Sequence, residues 1–232
     1  MHKLQQLCGK QMPALVMFDL DGTLIDSVPD IAFATNGMLA DLALPTVDES
    51  TVRSWVGNGA AKLVERALQH SAYASDSHSV EKNLTRFKVH YKQHCAVNTV
   101  LYDGVLECLR ALHEHKIPMA LVTNKPREFV PPILSLFEIE HFFSAILGGD
   151  DLPQRKPDPE PLLHCASQLG CAINASLMVG DSYNDVEAAR RAGIPVVAVN
   201  YGYNHGRPIE DERPDMIVSS LADPWKILAN NT

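Results

Sequence analysis

The chain has 232 residues, 46% of them hydrophobic, and a formal charge of −8 at pH 7 from 28 acidic and 20 basic side chains. That is enough chain for one large core, or for a core domain with a smaller one beside it, in an ordinary soluble protein. The acidic balance excludes the basic footprint that grips nucleic acid or an anionic membrane, so a small anionic ligand would need local cations or a metal.

The opening MHKLQQLCGKQMPA has neither a long apolar stretch nor a small-residue cleavage pattern, so residues 1–13 are expected to form a frayed tail rather than a signal peptide. No apolar run approaches membrane-spanning length. Cys8, Cys95, Cys108, Cys165 and Cys171 are odd in number and contain no C-x-x-C pair. They predict free thiols in a reducing cytoplasm, with no disulfide framework and no zinc.

The first apolar run, ALVMFDL, reads as a buried strand that ends on Asp19 and Asp21. Unpartnered buried charge is costly, so this pair faces a cation or the strand ends in solvent. From about residue 28 to 98 there is no convincing strand, only amphipathic stretches such as DIAFATNGMLADLAL, AAKLVERALQHSA and VEKNLTRFKVHYKQH. Beyond them the apolar runs IPMALVTN, SAILGGD, SLMVGD, IPVVAVN and DMIVSS mostly alternate with the helical patterns GVLECLRALHEHK, PEPLLHCASQLG and NDVEAARRAG. Strands alternating with helices predict an α/β fold, a parallel sheet covered on both faces, with Gly170 and Gly193 at helix C-termini. The expected core covers residues 14–27 and 99–232. A helical cap over residues 28–98, inserted after the first strand, sits over the carboxyl ends of the sheet, where ligands bind in open α/β folds.

Four of these strands end on or lead into DLDGT, VTN, RKPDPEP and GDSYND, in that order. As an ordered set over nearly the whole chain they resemble the haloacid dehalogenase superfamily of phosphatases, which implies a Rossmann-like core. The chemistry reads directly from the residues. A phosphate ester is a dianion, so an attacking carboxylate must be screened by a divalent metal. Asp19 is the natural nucleophile, forming an aspartyl-phosphate that divides one hard displacement into two. The Asp21 side chain points the opposite way if the strand is still extended. The resemblance implies that the backbone has begun to turn, so that Asp21 gives its main-chain carbonyl to Mg²⁺ and its carboxyl works as acid and base. Gly22 permits that turn and Thr23 can bond the loop.

Thr123 and Asn124 offer a hydroxyl and backbone N–H groups to phosphoryl oxygens. Lys125 follows at once, and a lysine in that place can simply face water. Lys156, in a proline-braced loop, is expected to clamp the transferring phosphoryl group, with Arg155 beside it solvated. Asp181 is, by resemblance, the second metal carboxylate beside Asp19, and Asp185 a supporting group one helical turn on that orients a metal water or Lys156.

In the cap, His90 and His94 have the spacing of a metal pair but no third ligand nearby, and read as a solvated helix face. His113 and His115 read likewise, on opposite sides of their helix. Trp55 and Phe87 read as anchors of the cap core. The turn Gly57-Asn58-Gly59 opens a helix, and either presents N–H groups to a second anionic group of the substrate or merely starts that helix. With LVTNKP, GGDD and YGYNHG, it makes the chain resemble the bacterial phosphoglycolate phosphatases. That resemblance implies Mg²⁺-dependent hydrolysis of 2-phosphoglycolate, a small phosphorylated metabolite; the expected location is the cytoplasm, and the sequence does not decide between monomer and homodimer. Another small sugar or amino-sugar phosphate is the alternative substrate. A mutase has no positive feature, dehalogenation would leave Asp21 and Asp181 unexplained, and a phosphonatase would need Lys62 as a Schiff base. A non-catalytic binding protein should have lost one of Asp19, Asp21, Lys156 or Asp181, and all four are present.

Overall fold

In a computed structural model, which describes residue 7 and residues 12–74 and 76–225, Leu15–Phe18 form a strand, β1, buried along its whole length. Most of the tail expected over residues 1–13, and Cys8 with it, lies outside the described residues. Burial on both faces explains why the run is continuously apolar: Val16 and Phe18 enter one core, Leu15 and Met17 the other. Around β1 lie Met119–Val122 (β4), Ala145–Leu147 (β5), Ser176–Gly180 (β6), Val196–Val199 (β7) and Met216–Val218 (β8). All pair in parallel, in the order β5-β4-β1-β6-β7-β8. The chain therefore works outward on one side of β1 and then on the other, which opens a crevice between β1 and β6 at their carboxyl ends.

Helices cover both faces. Val105–Glu114 (α5) and Val130–Leu136 (α6) bury Leu109, Leu112 and Ile133 in one core. Glu160–Gln168 (α7) and Tyr183–Ala192 (α8) bury Leu162, Cys165 and Ala189 in the other. Gly193 ends α8 in the left-handed conformation with φ 72°, and Gly170 follows α7 with φ 65°. Both stand where sequence places helix ends.

Between β1 and β4 lie Val28–Asp41 (α1), Glu49–Arg53 (α2), Ala60–His70 (α3) and Ser77–His94 (α4). They share a third cluster, which includes Ile31, Met38, Leu63, Leu68, Phe87 and Tyr91 and takes in Phe129 and Tyr203 from the sheet side. Two short strands frame this helical segment, Ile25–Asp26 (β2) and Val100–Leu101 (β3), paired antiparallel. At two residues each they are too short to show alternation in a sequence.

Asp30, in the first turn of α1, is fully buried. It accepts from the backbone N–H groups of Val97, Asn98 and Thr99, from the Asn98 amide and from the Thr99 hydroxyl. One carboxylate thus staples the two chain crossings between helical segment and sheet. Asp30→Ala strands three backbone donors and is expected to lower the free energy of unfolding by about 3 kcal/mol in urea titration. Asp30→Asn, which keeps one acceptor, should lose clearly less; equal losses would mean that the carboxylate matters only as volume.

Candidate active site

At the carboxyl edge the loops after β1, β4 and β6 meet the loop before α7. Asp19, directly after β1, is 8% exposed. Its Oδ1 lies 3.0 Å from Lys156 Nζ but has no aligned hydrogen-bond donor, which leaves a buried carboxylate oxygen unsatisfied. Lys156, 2% exposed, also reaches Asp185 Oδ1 at 2.7 Å. Burial works to discharge that ammonium, and the carboxylates of Asp185 and Asp19 outweigh it, so it stays charged with a raised pKa.

Asp185 is fully buried. Its Oδ2 accepts from the N–H groups of Asp181 and Ser182 and from the Ser182 hydroxyl, closing a capping box on α8. With Oδ1 on Lys156, it positions the lysine. Asp181 is held on both oxygens, by the Thr23 hydroxyl at 2.9 Å and the Tyr203 N–H at 2.7 Å. Two glycines make room for it: a Cβ at Gly22, where φ is 89°, would lie 2.4 Å from Asp181 Oδ2, and one at Gly202 would lie 2.1 Å from Asp181 Cβ. The turn after β1 therefore needs glycine for its backbone and for its neighbour.

One carboxylate oxygen each of Asp19, Asp181 and Asp185 lies within 4.8 Å of the others. Burial, then the neighbouring carboxylates, lift Asp181 well above the usual range. Burial, opposed by Lys156 and reinforced by Asp185, pushes Asp19 up to about 7. Crowded carboxylates with an orphaned oxygen are a hard-oxygen donor set that a divalent cation would relieve. Asp185 has Lys156 on one oxygen and three donors on the other, whereas each oxygen of Asp181 accepts one hydrogen bond and Asp19 Oδ1 accepts none, so Asp19 and Asp181 are the carboxylates with capacity for a metal.

Asp21 is half-buried and accepts from the Ser27 hydroxyl and from Lys125 Nζ, the latter at 2.9 Å. Lys125, left open by the sequence, does not face water: it is 5% exposed, donates to the Tyr91 hydroxyl at 2.6 Å and lies 4.8 Å from that ring's centre. The Thr123 hydroxyl accepts from the Lys125 N–H. The Asn124 amide donates to the carbonyls of Gly57 and Lys156, so this side chain ties the helical segment to the sheet.

A cavity of about 50 Å³ lies between the two, lined by Asp19, Asp21, Thr123, Asn124 and Lys125 below. Above it are Ile31, Val56, Leu63, Phe87 and Tyr91 with the backbone of Gly57 and Gly59. Asn58 instead turns its side chain to Asn184 and Arg66. Phe87 is both a core anchor and a cavity wall, whereas Trp55 packs partly buried against the helical cluster. His90 pairs with Asp41, His94 lies against Phe33, His115 bonds the Ala111 carbonyl, and His113 packs on Phe142. Lys62 sits at the surface on Glu65, and Arg155 is exposed. The loop around Tyr203, quoted above only as YGYNHG, proves structural for the site. Its ring is buried, its hydroxyl meets the Ser27 N–H and Asp26, and the His205 ring reaches the Ser54 carbonyl.

The family model of haloacid dehalogenase-like hydrolases matches residues 16–199. A phosphoglycolate phosphatase of Pseudomonas syringae pv. tomato is 47% identical over 223 residues, 95% of this chain and 82% of that protein. One of Nitrosococcus oceani is 40% identical, covering 94% of this chain and 98% of its own. Among solved structures, a predicted phosphoglycolate phosphatase from Haemophilus somnus superposes with a TM-score of 0.89 at 39% identity, over 94% of this chain and 98% of that one.

Proposed function

Since the chain belongs to the haloacid dehalogenase-like hydrolase family, we propose that it is a Mg²⁺-dependent phosphatase that hydrolyses 2-phosphoglycolate to glycolate and phosphate. One observation carries the mechanism: Asp19 offers a buried, unsatisfied carboxylate oxygen at the floor of the cavity, 3.0 Å from a fully enclosed ammonium. The substrate is supported by relatives of that name at 47% identity and by a cavity with room for only a few water-sized groups, at about 10–15 Å³ each.

Asp19 attacks phosphorus, the bond to the leaving oxygen breaks, and the phosphoryl group passes to the carboxylate as an aspartyl-phosphate. The Asp21 carboxyl gives its proton to the departing alkoxide, then takes one from the water that hydrolyses the intermediate. The Thr123 hydroxyl, the Asn124 N–H and the Lys156 ammonium hold the phosphoryl oxygens, where charge builds in both transition states. Asp19, the Asp21 main-chain carbonyl and Asp181 would hold Mg²⁺, which when bound would supply the Lewis-acid screening that a carboxylate needs to approach a dianion. Gly22 shapes the turn beneath it, and the backbone of Gly57 and Gly59 closes the cavity on the side of the helical segment. Substrate enters as residues 28–98 lift about the crossings near Ser27 and Asn98, and their return excludes water.

Phosphate release is measured across 2-phosphoglycolate, glycerol phosphate and glucosamine 6-phosphate, with Mg²⁺ and with a chelator. Release led by 2-phosphoglycolate and lost in chelator is the expected result. A lead by another ester would overturn the substrate, and turnover unaffected by chelation would overturn the metal.

A further inference from the structure

Phosphoryl transfer at Asp19 leaves open what holds the other end of the substrate. The cavity's far walls, Ile31, Val56, Leu63, Phe87 and Phe129, are apolar. Among its described lining residues the charged ones are Asp19, Asp21 and Lys125, so Lys125 is the one cation there. A carboxylate brought into such a space loses its water and needs a charged partner. The backbone N–H groups of the Gly57–Gly59 turn carry only partial charge.

We infer that Lys125 is the specificity-determining residue of the site, a buried ammonium that binds the substrate's second anionic group, a carboxylate, while holding Asp21. The inference rests on the reading of the site as a phosphatase for a small carboxylated ester. An ammonium has three donors. Asp21 takes one in a forked bond, at 2.9 Å from its Oδ1 and 3.3 Å from its Oδ2, and the Tyr91 hydroxyl another, at 2.6 Å. The Tyr91 ring, stacked on Phe87 and edge-on to Phe129, fixes the head of the lysine in place. Tyr91 belongs to α4 and Lys125 to the loop after β4, so the cation is fully assembled only with the helical segment seated on the sheet. An ester without a carboxylate would leave a donor of Lys125 unmet in an apolar chamber, and unpaired buried groups discriminate strongly.

The test compares kcat/KM for 2-phosphoglycolate with that for ethyl phosphate, which lacks the carboxylate. Lys125 also touches Asp21, so Lys125→Met is expected to slow both esters, and their ratio reports recognition. The wild-type preference for 2-phosphoglycolate should shrink by about 100-fold or more in Lys125→Met, and Lys125→Arg, which keeps the charge, should retain more of it. Equal losses on both esters would overturn the inference, since Lys125 would then serve Asp21 alone, and would leave the proposed activity standing. A wild type without the preference would overturn the substrate reading itself, before any variant is compared. If Lys125→Met does not fold, Tyr91→Phe replaces it: loss of the hydroxyl should raise KM for 2-phosphoglycolate more than for ethyl phosphate, and an unchanged ratio would overturn the inference.

Discussion

In Asp19→Asn, phosphate release from 2-phosphoglycolate is expected to fall by at least about 10⁴-fold, to the limit of detection, with no loss of fold. An amide has the shape of the carboxylate but is neither an anion for a metal nor a nucleophile toward phosphorus. The fold should gain. Burial, with Asp185 adding to it against Lys156, lifts Asp19 from 3.8 to about 7. The folded chain therefore holds more protons at this site than the unfolded one between those values, and stability drains as pH rises through that window. At pH 8 and without metal the full cost is present, so Asp19→Asn should be more stable than the parent in chelator. Urea titration at pH 8 checks the sign. A variant that is both inactive and less stable would show that Asp19 is held comfortably in the fold, and the argument for a cation beside it would fail.

Lys156→Met should fail on both counts. The lysine is enclosed, and its ammonium touches Asp19 and Asp185 at 3.0 and 2.7 Å. Methionine fills much of the volume and leaves the cluster of Asp19, Asp181 and Asp185 without that cation. Removing one partner of a buried ion pair destabilises by about 3–5 kcal/mol. Losing the charge proposed to hold the phosphoryl oxygens should slow turnover by at least about 10³-fold. Added Mg²⁺ is expected to recover part of the stability, because it neutralises the same carboxylates, and little of the rate, because it does not occupy the place of the ammonium. Turnover within tenfold of the parent would remove Lys156 from the phosphoryl site.

Asp19, Thr123 and Asp181 are legible in the sequence because each is the polar end of a run too apolar to be anything but a buried strand. A parallel sheet brings such ends to one edge, so a local pattern suffices. Lys125 shows the opposite case. Its partners Tyr91 and Asp21 are 34 and 104 residues away, and no short-range period reports a contact across an inserted segment. The neighbouring VTN motif was the available signal, together with Phe87 and Tyr91 spaced to share one face of α4. Tyr203 is hidden likewise, since its hydroxyl meets Ser27 and Asp26 across 176 and 177 residues. Gly22 reads as a turn former, and only the close approach of the Asp181 carboxylate reveals its second purpose.

The central place of β1 also sets an order of assembly. Among the described strands it comes first in the chain, yet its neighbours β4 and β6 begin at Met119 and Ser176. As the chain leaves a ribosome, β1 has no partner until the whole helical segment has emerged. The helices, whose contacts are nearer in sequence, can form a cluster of their own in that interval. Asp19 then meets Asp181 only after β6 is in place. A truncated chain ending short of residue 176 carries Asp19 and the helices that cover it but lacks Asp181, so the carboxylate cluster forms only in the finished chain.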